Sequence, residues 1–183
     1  MRFSKFFLLI VFAMILSAGC GTKFKSAPKT LGVQLQEFDK RFIANVNALA
    51  ESSGIDEQAT TLGQPSKTSN DFERIIRYQL DEHLYLTEVI DDKTAELKSV
   101  SIECTGGDLA EKTNAEIAYI ATIKAVTPEL KGDDFKKLQN ELFAEKINEN
   151  KQWVEHKGLY YLKTENNSTL TLGIFARHDF FEE

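Results

Sequence analysis

The chain has few of the side chains that build metal sites, disulfide frameworks or familiar catalytic centres. Its 183 residues include two cysteines and three histidines. His83, His156 and His178 lie far apart, with neither HExxH nor CxxC spacing, so no metal ligand is assigned. GxGxxG, P-loop and GxSxG patterns are absent too, which leaves no cofactor-binding and no catalytic residue to name. Glu155-His156 and His178-Asp179 come nearest to an acid/base pair, but neighbours along a strand point to opposite faces and pair poorly. Basic charge is short as well. Against 28 acidic residues stand 22 lysines and arginines, a net charge of −6, with no stripe that gathers them, which speaks against a nucleic-acid partner.

What the chain does have begins at its N-terminus. Arg2 and Lys5 form a positive start, and Phe6 to Leu16 form an unbroken apolar run. Eleven helical residues rise only about 16 Å against a hydrocarbon core of about 30 Å, so the run suits a cleaved signal better than a permanent span. Small residues follow in Leu16-Ser17-Ala18-Gly19-Cys20. This stretch resembles the lipobox of bacterial lipoproteins, which signal peptidase II cuts before a diacylated cysteine. Cys20 matches the lipid acceptor and Ala18 and Gly19 the small positions, while Ser17 stands where the pattern prefers leucine. The resemblance covers about a tenth of the chain and implies nothing about the fold of the rest. It implies residues 1–19 as the signal peptide, palmitate-type lipid on Cys20 and a membrane-held protein facing the periplasm or the cell exterior. Gly21, where many Gram-negative lipoproteins carry an inner-membrane-retaining aspartate, permits outer-membrane sorting. Cell membrane and outer membrane both remain open as addresses. Two or three acyl chains would hold the protein firmly, since each buried CH₂ contributes about 0.8 kcal/mol.

Residues 20–32 carry Lys23, Lys25, Ser26, Pro28 and Lys29 without helical periodicity and read as a flexible tether. Without residues 1–19, which include Arg2 and Lys5, 20 basic residues face the 28 acidic ones for a net charge of −8. Residues 33–183 are enough for one domain with one core. With Cys20 lipidated, Cys104 has no cysteine to pair with, and its spacing from Val100 and Ile102 makes it a small inward-facing strand residue.

Leu35, Phe38, Phe42, Val46 and Leu49 recur at helical steps and predict a helix over Gln34 to Ser52. A long loop from Ser53 to Asn70 follows, marked by Gly54, Gly63 and Pro65. Alternation predicts strands over Phe72 to Leu80, Leu84 to Ile90 and Leu97 to Cys104. Asp91-Asp92-Lys93-Thr94 makes a solvated turn rather than a calcium loop. Asp108 and Glu111 have capping-box spacing before a helix that Thr127-Pro128 ends. Asp133 is expected to cap a shorter helix through Phe135, Leu138 and Leu142 to about Ile147. Trp153 to Lys163 and Thr169 to Ala176 read as two more strands. The predicted class is α+β, one antiparallel sheet of about five strands with helices on one face, in the order α-β-β-β-α-α-β-β.

Tyr160 and Tyr161, alternating across a strand, should send one ring to the core and present the other to a partner. Phe180-Phe181 is a second aromatic pair of this kind. The function expected from these features is a membrane-anchored envelope lipoprotein, a non-catalytic binding or accessory module with an envelope protein as partner. A small envelope enzyme with an unrecognised site and an exclusion or defence lipoprotein that occludes a membrane partner stay open beside it. His156 or His178 meeting carboxylates inside a concave cleft would favour the enzyme, and a flat aromatic sheet face the binding module.

Overall fold

The alternation of apolar residues resolves into strands that pair only with antiparallel neighbours. In a computed structural model describing residues 29–52, 61–69, 73–144, 151–166 and 168–176, the chain runs through ten elements. These are α1 (Leu35–Ser52), β1 (Ser66–Ser69), β2 (Glu73–Asp81), β3 (Leu84–Asp91), β4 (Leu97–Thr105), α2 (Leu109–Val126), α3 (Gly132–Leu142), β5 (Lys151–His156), β6 (Leu159–Asn166) and β7 (Thr169–Phe175). One sheet has the spatial order β1-β2-β3-β4-β7-β6-β5. Two meanders therefore meet where β4 pairs with β7, from Ser99 opposite Phe175 to Thr105 opposite Thr169. The class is α+β, as the patterning predicts, but the sheet has seven strands where about five were expected.

Both extra strands have a physical reason. β1 is exposed at all four positions and hangs on the β2 edge by backbone pairing, so no side-chain periodicity announces it. The stretch expected as one strand from Trp153 to Lys163 folds back on itself as β5 and β6. Lys157 and Gly158 form its two-residue turn with φ of 53° and 81°, the doubly positive geometry whose twist suits a tight hairpin. The Gly158 N–H donates to Glu155 Oε1 at 2.6 Å, which pins the turn. Lys-Gly lacks the side-chain turn chemistry of Asn-Gly, and the apolar positions on either side run on as one strand.

All three helices lie on one side of the sheet. Along β3 burial alternates without a break, with Leu84, Leu86, Glu88 and Ile90 inward. Phe38 and Phe42 of α1 stack at 5.8 Å beneath this face. Ala115, Ala118, Ala121 and Ala125 of α2 are buried, and their small side chains let α1 approach closely. Arg41 Nη1 and Asn45 Nδ2 of α1 then donate to the α2 carbonyls of Ala125 and Ala121, each at 3.2 Å. The capping box forms as spaced: Asp108 Oδ1 accepts from the Ala110 and Glu111 N–H groups at 2.8 and 3.0 Å, and Glu111 Oε2 accepts from the Asp108 N–H at 2.8 Å. α3 differs from expectation at its start. It begins at Gly132 after Lys131, which supplies no side-chain cap, and Asp133 and Asp134 sit in its first turn, where they complement the helix dipole. It ends at Leu142, with Phe143 as C-cap, short of the end expected near Ile147.

The folded unit reaches back into the segment read as tether. Leu31 is buried and its N–H donates to the Leu97 carbonyl at 2.6 Å, while the Leu97 N–H donates to Val33 at 3.0 Å. No described helix is long and apolar enough to cross a membrane.

Candidate functional site

With the helices on one side, the other side of the sheet carries the side chains that alternate away from them. Register places Ile75, Val89, Ser99, Phe175 and Tyr160 in one row across five strands. The next row runs Arg77, Thr87, Ser101, Gly173, Leu162 and Trp153. Aromatic residues gather at the β5-β6-β7 end. Trp153, 49 % exposed, has its ring 5.8 Å from that of Tyr160. Gly173 makes room for Phe175: a Cβ there would stand 2.6 Å from Phe175 Cε2, so the ring lies over the glycine and flattens the surface. Toward β2 the same face turns polar. Arg77 lies 4.3 Å over the Tyr85 ring and pairs with Glu103 at 2.8 Å. The arrangement is a sheet face, uncovered by the described helices, with an aromatic end and a charged end.

The tyrosine pair divides as the alternation predicts. Tyr161 is fully buried on the helix side, where its hydroxyl lies 3.4 Å from Thr127 Oγ1, and burial raises its pKa. Tyr160 stands on the open face opposite Glu155. Glu155 and His156 point to opposite faces, and the glutamate is engaged by the Lys157-Gly158 turn. His156 is half-buried, with Nε2 out of contact with solvent and without a described hydrogen-bond partner. His83 lies 3.9 Å from Glu111, whose other oxygen caps α2. Cys20, Gly21, His178, Asp179, Phe180 and Phe181 lie outside the described residues. Among the described residues no three histidine, cysteine or acidic side chains converge as metal ligands.

Asp91 holds its own turn. Oδ1 accepts from the Lys93 and Thr94 N–H groups at 2.9 Å each, and the Thr94 hydrogen bond leads the effects that keep its carboxyl below the usual range. Cys104 is fully buried on the helix side of β4, and burial raises its thiol pKa, which suits packing rather than nucleophilic chemistry. Gly107 packs against it closely enough that a Cβ would come within 2.7 Å of Cys104 Sγ.

Two features lie apart from the residues singled out in the sequence, although a pocket between the helices and the long loop is part of the enzyme reading. The first is Glu88, which occupies an inward position between Leu86 and Ile90 and is 0 % exposed. It faces Asp39 of α1, with Tyr78 nearby. Burial first, then the Asp39 charge, push the Glu88 carboxyl up to about 10. Burial also raises Asp39. Both Glu88 carboxyl oxygens and Asp39 Oδ1 are buried without a described hydrogen-bond partner, so the protonated, neutral form of Glu88 is the one this site favours at neutral pH. The interruption of an otherwise apolar alternation is its trace in the sequence.

The second is a cleft of about 480 Å³ between α1, α2 and the β2-β3 hairpin, within the range of small-molecule sites. Ile43, Val46, Leu49, Leu80 and Ile117 supply much of its wall. These side chains come from separate elements, so no local pattern outlines the cleft.

The chain is thus an α+β domain with one helix-covered sheet face and one open face. It matches no protein-family model, no curated protein and no solved structure.

Proposed function

We propose that this chain is a lipid-anchored binding module of the bacterial cell envelope, held to the membrane through Cys20 and engaging an envelope protein with the open face of its sheet. The face itself carries the reading. Rigid aromatic groups give large contact area at small entropic cost, and the Arg77-Glu103 end supplies a polar margin. A flat surface suits a macromolecular partner better than a small substrate, which needs concave enclosure. The LSAGC stretch supports the anchor, and Gly21 is compatible with either envelope membrane.

Two measurements test the two halves of the proposal. Intact mass and N-terminal peptide mass of membrane-purified protein should show a diacyl or triacyl Cys20 as the first residue, and Cys20→Ala should abolish both lipid and membrane retention. An unmodified N-terminus on soluble protein would remove the anchor. Crosslinking in intact cells from a photoreactive residue at position 153 should capture one stoichiometric envelope protein, and Tyr160→Ala should weaken that capture at unchanged protein level. Recovery of no discrete partner from this position would overturn the surface assignment.

A further inference from the structure

The cleft between α1, α2 and the β2-β3 hairpin lies apart from the open face and differs from it in chemistry. Its wall is aliphatic, with Ile43, Val46 and Leu49 from α1, Leu62 from the segment before β1, Leu80 from β2 and Ile117 from α2. One rim is polar and acidic. Asp81, which ends β2, and Asn114 of α2 line both this cleft and a smaller pocket beside it, where His83 and Glu111 complete the wall. Among the described residues Asp81 Oδ1 accepts only a local hydrogen bond, from the Glu82 N–H at 2.7 Å, and its residue is exposed. No lysine or arginine is among the described side chains that line either pocket.

From this juxtaposition we infer that the cleft binds a small amphiphile with an aliphatic body and a cationic nitrogen head, the body against Val46, Leu80 and Ile117 and the head at Asp81. The aliphatic wall contributes affinity in proportion to apolar surface removed from water. Charge decides the head. An ammonium group meets the Asp81 carboxylate with Glu111 close by, and can donate to the Asn114 side-chain oxygen. A carboxylate or phosphate head would meet the same two acids with no lysine or arginine among the described lining residues to receive it, and His83 already faces Glu111. The domain's net negative charge adds attraction for a cation over longer range. This inference is independent of what the open face binds.

The test uses the full processed chain in lipid nanodiscs, with ¹³C-labelled isoleucine methyl groups and empty nanodiscs as the correction for partitioning. Octylammonium, octanol and octanoate share one tail and differ in head charge. Octylammonium should shift the Ile43 and Ile117 methyl signals saturably, with a Kd at least 10-fold below that of octanoate. Asp81→Asn, a change at an exposed site, should weaken octylammonium about 5-fold and leave octanol unchanged. Val46→Trp, which fills the cleft, should abolish the shifts by all three probes. The inference is overturned if octanoate binds as well as octylammonium, or if Asp81→Asn weakens octanol equally. It is also overturned if no probe moves these two methyls, which would assign the cleft to a segment of protein rather than to a small ligand.

Discussion

Replacing Glu88 by glutamine should make the protein more stable at neutral pH, by an amount that grows with pH. In the folded state the carboxyl holds its proton up to about pH 10, whereas an ordinary glutamate releases it at about 4.5. The folded pKa is therefore raised, and the unfolded chain binds fewer protons at every pH between these values. The Glu88 contribution to stability is fully present below about pH 4.5 and is lost as pH rises toward 10, by up to about 1.4 kcal/mol per pH unit. Between pH 4.5 and 7 this amounts to about 3 kcal/mol, a large share of the roughly 5–15 kcal/mol that holds a domain together. Glutamine keeps the shape and carries no ionisable group. Urea unfolding of the wild type and of Glu88→Gln at pH 5.5, 7 and 8.5 reads the difference directly. The variant should gain about 1.4 kcal/mol over the wild type for each unit of rising pH. A difference that stays constant from pH 5.5 to 8.5 would refute the neutral state of Glu88, and loss of stability at pH 8.5 would refute the cost of keeping it protonated.

Other perturbations read other parts of the fold. Asp108→Ala removes both hydrogen bonds that this carboxylate accepts at the start of α2 and should cost about 1 kcal/mol, up to about 2, by chemical denaturation. Gly158→Val places a β-branched residue at a φ of 81° and should cost more than about 1 kcal/mol, with the loss of amide protection concentrated at the β5-β6 turn. Gly173→Ala drives a methyl group into the Phe175 ring and should cost about 1–3 kcal/mol, while Gly173→Ala with Phe175→Ala should recover part of it. Leu86→Ala, at a site with no exposure, should cost about 2–5 kcal/mol in the same denaturation assay.

Features whose cause is local were legible in the amino-acid pattern. The apolar stripe from Leu35 to Leu49 specifies a helix with one buried face because residues three and four apart share a side. Asp108 and Glu111 specify the start of α2, and Asp91 its own turn, because in each case the partners lie within three residues. Alternation along β2, β3 and β4 already shows which residues point inward, and adjacency in one strand that Tyr160 and Tyr161 separate. Features that depend on neighbours distant in the chain came from the packing of whole elements. β1 exists because the β2 edge offers it backbone partners, and the β4-β7 pairing joins strands separated by two helices. Glu88 meets Asp39 because α1 docks beneath β3, and the cleft beside Asp81 arises where three elements stop short of filling the space between them. Side-chain spacing encodes contacts within a turn of helix or across adjacent strand positions. Sheet order, buried polar pairs and cavities depend on how whole elements share a limited volume, and no short stretch of residues carries that constraint.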